Sequence, residues 1–444
     1  MRVNRVSRAR TRTALAAFAV AGLTAGAAAG AGPAAAQPKA APAAAPDCSA
    51  AFRIEQKLSN GTTWRMCWRH EAMAGMILED ITYQPPGEAK PIKVLNSSKL
   101  AQIHVPYDDG SEEYEDLTTY YFGDGLENLA AGECPGGTIR TVKVRAPEST
   151  DTRNVKGLCT TTRARGHAYR MLNQPLTGAE KLYQKQGKDL LVYAVNKVSW
   201  YEYITEWRFQ DDGTIHMNVG ATGSLAPQDY DAADGRGWPI GKGPSAKVLS
   251  HSHNVFWRLN FGLDGSSKGR IEQYDSKVSP QAPGDRAPTN KTTRTKVTKE
   301  LAGDAKNMRW WRVVSATGKN KDGHPRSYEL VPGPNAKYSG RGFTKHDMYF
   351  TQYKKCEQYA SGNPLNCGTG QQSKSIDKWV DGETLKNPVV WVNVGFHHIA
   401  RDEDQQPMPV HWQGLSIVPR DVTAMNPLTP AELAGTNGMP RQGS

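Results

Sequence analysis

The run His251-Ser-His-Asn-Val-Phe-Trp-Arg-Leu-Asn-Phe-Gly-Leu-Asp-Gly265 reads as a strand, because its apolar residues recur at every second position. Alternate side chains of a strand share a face, so Val255, Trp257, Leu259 and Phe261 line one side. The same parity carries His251 and His253 onto that apolar, core-facing side. Two imidazoles on a core face suit a metal ion, since a buried imidazole needs either a ligand role or a hydrogen-bond partner. A His-x-His pair is also common among histidines that are only hydrogen-bonded, so the pair alone leaves both readings open.

Further along, Val390, Val392, Val394, Phe396 and His398 again occupy one parity of a strand. Parity selects His398 over its neighbour His397 as the core-facing imidazole. Three imidazoles from two strands suit copper, zinc, iron or nickel and exclude calcium or magnesium, which require oxygen ligands. A packed core histidine is the competing reading of His398. In Trp200-Tyr-Glu-Tyr203, the residues Tyr201, Tyr203, Trp207 and Phe209 share a face; read alone, they are core.

The rest of the chain repeats the pattern of short apolar or alternating runs punctuated by Gly, Pro, Asn and Asp, which predicts an all-β protein. Trp64, Met66 and Trp68 alternate with polar residues, and 76–83 follows as a paired strand. Segments 188–198, 200–209 and 215–219 read as consecutive strands, the last two joined through the turn Gln210-Asp-Asp-Gly213. Polar loops are expected over about 265–305, strand character returns at 310–314, and the last strands are 389–399 and 415–419. With no internal repeat, one large β-sandwich domain over 47–426 is expected, followed by a poorly ordered tail at 427–444.

The chain has 444 residues. Its first segment carries Arg2, Arg5, Arg8, Arg10 and Arg12, then an Ala-rich run from Ala14 to Ala31, then small residues around Ala36. This predicts a signal peptide over 1–36, a Pro/Ala linker over 37–46, and a secreted protein with no membrane association after processing. Residues 1–46 hold six basic and no acidic residues, so their removal lowers the formal charge from +11 to +5. The remaining basic residues are scattered, and runs such as Lys291 to Lys299 read as solvated, so no nucleic-acid partner is expected. All six cysteines lie beyond the leader, and disulfides are expected in sequential order: 48–67, 134–159 and 356–367. None has the C-x-x-C spacing of a zinc ribbon or redox motif.

Taken together, these segments resemble the catalytic domain of the copper- and topaquinone-containing amine oxidases over nearly all of 60–426. His251 to Gly265 is similar to the family's His-x-His segment with its Arg-Leu and terminal Asp-Gly. Gly395-Phe-His-His-Ile-Ala-Arg-Asp-Glu-Asp404 with Met408-Pro-Val is similar to its third ligand region. Trp200-Tyr-Glu-Tyr203, with Asp212-Gly-Thr-Ile215 and Gly220-Ala-Thr-Gly223 behind it, resembles the Asn-Tyr-Asp/Glu-Tyr motif whose first tyrosine becomes the quinone. Two aspartates compete for the family's catalytic base, Asp116 and Asp124. Anchoring on Gly132 to Ile139, which resembles the family's Gly-Cys-Asp-Cys-Leu-Gly segment, puts Asp116 in register. The same register places Tyr114 at the substrate gate, and Val105-Pro-Tyr107 matches the Val-Pro-Tyr whose tyrosine contacts the quinone.

The resemblance implies Cu2+ on His251, His253 and His398, topaquinone formed from Tyr201 with dioxygen, and Asp116 removing the α-proton of a primary amine. The products would be an aldehyde, ammonia and hydrogen peroxide, and the protein would be a homodimer. Four positions depart from the family pattern: Trp200 stands where Asn is usual, Asn260 and Asn387 replace aspartates of a distal calcium-type site, and His411 replaces an Asp. Amides are weaker ligands for a hard cation, so that second metal is not expected. Trp200 and the absent N-terminal domains keep open a non-catalytic accessory subunit on this fold. A copper-binding β-sandwich without a quinone, with Tyr201 in the core, is the other alternative.

Overall fold

Alternating, β-branched and aromatic-rich segments place most of the chain in antiparallel strands. The computed structural model describes residues 48–173, 179–226, 236–242, 247–306, 308–367 and 374–433. The expected leader and linker lie outside the described residues. Two large sheets form. The first runs Arg53–Lys57, Thr63–Glu71, Gly75–Gln84, Ile92–Pro106, His251–Phe261, Pro388–His398, Met348–Gln352, Leu301–Gly303, with Glu113–Glu115 paired beside Ile92–Pro106. The second runs Thr289–Val297, Arg270–Ser279, Trp310–Lys319, Pro325–Pro332, Met408–Arg420, Ile215–Gly223, Tyr201–Gln210, Lys181–Val198, Thr152–Asn173, Thr138–Arg145. The sandwich expected from the sequence is the one observed.

The two sheets meet through large side chains. Trp207 of the second sheet packs edge-on against Trp257 of the first at 5.2 Å between ring centroids, and its Nε1 donates to Ser98 Oγ at 2.9 Å. Trp64 and Phe209 make a second contact at 5.1 Å. Burying such rings contributes roughly 1.5–3 kcal/mol each, so this seam fixes how the sheets face one another. The turn between Tyr201–Gln210 and Ile215–Gly223 needs Gly213, whose φ of +96° is strained for any residue with a Cβ.

His251–Phe261 is buried on both faces, not one: every residue from His251 to Leu259 is covered. Its reverse face enters a second cluster with Phe256, Tyr349 and Trp391, and the Arg258 guanidinium lies over Trp391 at 5.2 Å. Central position in the sheet, between Ile92–Pro106 and Pro388–His398, is the reason.

Two expectations need correction. The region 265–305 is not all loop: Arg270–Ser279 and Thr289–Val297 pair as an antiparallel hairpin. All but the last residue of Thr289–Val297 is exposed, so no buried face gives it a periodic apolar pattern. The tail also begins as packed chain, with Leu428 buried and Glu432 bonded to Lys181 at 2.7 Å; 434–444 lie outside the described residues. The disulfides are the sequential pairs, Cys48–Cys67, Cys134–Cys159 and Cys356–Cys367.

Candidate metal centre and active site

The candidate site lies between the two sheets. His251 and His398 stand directly opposite each other in the pairing of His251–Phe261 with Pro388–His398. That pairing depends on Gly395, where a Cβ would sit 2.1 Å from the His253 carbonyl oxygen and drive the strands apart. One ring nitrogen from each of His251, His253 and His398 lies within 4.8 Å of the others, and all three residues are buried. His251 Nε2 is 3.0 Å from His253 Nε2. His397, the neighbour that parity rejects, is exposed and paired with Asp108.

Tyr201 reaches this cluster from the second sheet. Its hydroxyl lies 2.7 Å from His251 Nε2 and 3.2 Å from His398 Nδ1. Tyr203, two residues on and on the same face, stacks on Tyr201 at 5.6 Å and lies 3.4 Å from His253 Nδ1.

Burial sets the protonation of these groups. It pushes the His251 imidazolium down to about 3, with His398 adding to the effect, and holds His253 well below its ordinary value. Burial also lowers His398, against the opposing hydrogen bond to Asp404. Three neutral imidazoles bring ring nitrogens together here, and where those nitrogens present lone pairs a cation between them relieves the repulsion. An all-nitrogen set suits copper as it suits zinc, iron or nickel. The residues therefore fit the metal implied by the family motifs.

Asp404 holds the third imidazole from behind. Its Oδ2 is 3.0 Å from His398 Nε2, and its Oδ1 is 3.0 Å from His411 Nε2. Burial would raise the Asp404 carboxyl, but hydrogen bonds from His398 and His411 outweigh it and keep the group ionised. A carboxylate accepting the Nε2–H of His398 leaves the Nδ1 lone pair facing the cluster, the arrangement that orients a metal-bound imidazole. Sequence reasoning gave neither residue this role. The short turn Asp402–Asp404 decides which of three consecutive acids faces inward.

Beside Tyr201 opens a pocket of about 110 Å³. Asp116, Tyr107, Tyr114, Trp200, Tyr201 and Tyr203 line it, so the residues singled out in the sequence converge on one place. Tyr107 stacks on His251 at 4.8 Å and meets Tyr114 edge-on at 5.7 Å. Trp200 Nε1 donates to the Tyr107 hydroxyl at 3.3 Å. Asp116 is almost fully buried, and desolvation pushes its carboxyl up to about 7 against a hydrogen bond with Tyr203. Asp124, the rival aspartate, is instead bonded to Arg145 Nε at 2.6 Å and is absent from this pocket's lining.

Comparison with known proteins agrees with the motifs. Residues 53–433 match the family described as "Copper amine oxidase, enzyme domain". The chain is 26% identical over 424 residues to a histamine oxidase of Arthrobacter globiformis, covering 87% of this chain and 59% of that protein. It is equally similar, at 26% over 391 residues, to a primary amine oxidase of Klebsiella aerogenes, covering 79% and 50%. The chain thus spans little more than half the length of these relatives. Its fold is similar to that of a copper-containing benzylamine oxidase from Hansenula polymorpha, with a TM-score of 0.69 at 21% identity over 84% of this chain and 62% of that one. The sandwich, the buried histidine cluster and the match over 53–433 place this chain in the copper amine oxidase family, as its enzyme domain.

Proposed function

We propose that the chain is a secreted copper-dependent primary-amine oxidase whose organic cofactor is topaquinone made from its own Tyr201. One observation carries the reading: the Tyr201 hydroxyl lies against two of three converging imidazoles and borders a pocket holding a buried carboxylate. Export is supported by the three disulfides and the leader-like first 36 residues. No helix among the described residues is long and apolar enough to cross a membrane. A homodimer rests on family resemblance alone.

His251, His253 and His398 would hold copper, which together with a quinone made from the Tyr201 ring supplies redox chemistry with dioxygen and an electrophilic carbonyl for the amine. The chain's own residues do the rest. Asp116 takes the proton from the carbon next to the amine nitrogen. A carboxylate at its ordinary pKa is a poor base for that step, and burial raises Asp116 to about 7, where it is both basic and substantially ionised at neutral pH. Tyr203 keeps the Asp116 side chain oriented through their hydrogen bond. Tyr107 and Trp200, bonded to each other, wall the site on the side facing His251. Asp404 fixes the His398 tautomer.

The test is turnover. Copper-loaded protein supplied with a primary amine and dioxygen should release aldehyde, ammonia and hydrogen peroxide in equal amounts. Tyr201→Phe should abolish all three while copper stays bound. Full copper occupancy with no peroxide from any primary amine refutes the proposal.

A further inference from the structure

Trp200, one of the departures from the family pattern, has a position that gives it a task of its own. Ser199 and Trp200 are the two turn residues between Lys181–Val198 and Tyr201–Gln210, where Val198 and Tyr201 pair directly. Ser199 takes the turn's positive φ of +54°. The Trp200 backbone is pinned from the other side, since its carbonyl accepts from Ser224 N at 3.0 Å. Its indole is fixed as well. Nε1 donates to the Tyr107 hydroxyl at 3.3 Å, and the ring meets Tyr114 edge-on at 5.9 Å.

Trp200 lines two spaces at once. On one side is the pocket beside Tyr201, and on the other an open groove formed with Lys197, Glu202, Ser224 and Pro407. Among the described residues, Trp200 is the one that lines both. Tyr120, half exposed, also lines the pocket. Asp116 is the one acid among the described residues lining the pocket, and in the proposed reaction it is already engaged as the base.

We propose that Trp200 is a specificity-determining wall that confines the site to compact hydrophobic primary monoamines and excludes short diamines. The inference rests on the amine-oxidase reading of this pocket. A hydrocarbon tail replaces water against Tyr107, Tyr114 and Trp200 at a gain. A second ammonium in the same place loses part of its hydration with no second carboxylate among the described residues of the lining to meet it; Glu112 lies outside that lining and reaches Tyr107 and Tyr120 only electrostatically. Cation–π attraction from the rings returns only part of that loss, because an unpaired buried charge costs more than a ring face supplies. Shortening Trp200 removes the side chain common to the pocket and the outer groove, which opens the tail end of the pocket toward water and toward Glu202 of that groove.

Pentylamine and 1,4-diaminobutane are matched in length and differ by a terminal methyl against a terminal ammonium. Their binding to metal-free protein, in which Tyr201 is unconverted, is measured by calorimetry for the unsubstituted chain, Trp200→Ala and Trp200→Phe. The unsubstituted chain should bind pentylamine at least about tenfold more tightly. Trp200→Ala should reduce the ratio to less than about threefold. Trp200→Phe, which keeps an apolar ring and loses the hydrogen bond to Tyr107, should retain it. Equal or tighter binding of the diamine by the unsubstituted chain overturns the proposal, as does a Trp200→Phe protein that no longer discriminates. Hydrazine titration of the copper-loaded protein reports separately on the quinone. A protein without quinone that still discriminates refutes the oxidase reading and supports the wall, whereas a quinone-bearing protein that does not discriminate refutes the wall alone.

Discussion

Replacing Asp404 by Asn should weaken copper binding about 10–100-fold without unfolding the protein. The magnitude follows from what the carboxylate touches. Asp404 is fully buried, with Oδ2 3.0 Å from both His398 Nε2 and the Arg401 backbone N–H, and Oδ1 3.0 Å from His411 Nε2. An amide of the same size keeps its oxygen at the Oδ2 place, where the His398 and Arg401 N–H groups both donate, and turns its NH2 toward His411. What it removes is the negative charge that holds the His398 proton on Nε2 and so aims Nδ1 at the cluster. A charge-assisted hydrogen bond of this kind contributes about 1.5–3 kcal/mol. A 10–100-fold loss of affinity is about 1.4–2.8 kcal/mol, so the two routes to the magnitude agree. His411→Gln should cost less, because His411 hydrogen-bonds Asp404 and only packs its ring beside His398, at 4.5 Å, without bonding to it. The assay is competition for Cu(II) between metal-free protein and a chelator of known affinity, with near-ultraviolet circular dichroism as the control for packing. An Asp404→Asn protein with intact packing and copper affinity within about threefold of the parent would show that Asp404 does not orient His398.

Further outcomes follow from the same geometry. Asp116→Asn should retain copper and lower turnover by about 10²–10⁴-fold, the usual contribution of a positioned general base. Because burial raises Asp116 to about 7, the active carboxylate form grows as pH rises, so kcat/KM should climb through about pH 7. That limb should stay in place when amines of different basicity are compared; a limb that tracks the amine's own pKa would assign it to substrate instead. Gly395→Ala should destabilise the fold by at least about 2 kcal/mol in denaturant unfolding and weaken copper binding, since the added methyl meets the His253 carbonyl oxygen at 2.1 Å. Unchanged stability would mean that the strand spacing here is not limiting.

How much of this was legible in the sequence depends on what kind of pattern each element leaves. The strands of the sandwich's interior were readable because burial imposes a period of two, and that period alone separated His398 from His397. The pairing of His251 with His398 was not readable, since register between strands distant in sequence is set by packing and by Gly395. The hairpin of Arg270–Ser279 and Thr289–Val297 escaped because its outer strand is exposed on both faces. Tyr203 was visible as a core residue on the Tyr201 face, but not as the partner of Asp116, which sits in the turn after Glu113–Glu115 of the other sheet. Asp404 and His411 carry no periodic signal, because a single turn and a strand start bring them together. The side-chain chemistry of the site followed from motif resemblance more than from periodicity, and its geometry required the fold.

The central claim is that this copper site's first substrate is the protein's own tyrosine. Metal-free protein is incubated with Cu(II) and air, digested, and the peptide carrying Tyr201 is weighed. The account predicts a gain of two oxygen atoms and a loss of two hydrogens on Tyr201, with a hydrazine adduct at the same residue. An unmodified Tyr201 in protein saturated with copper would contradict it.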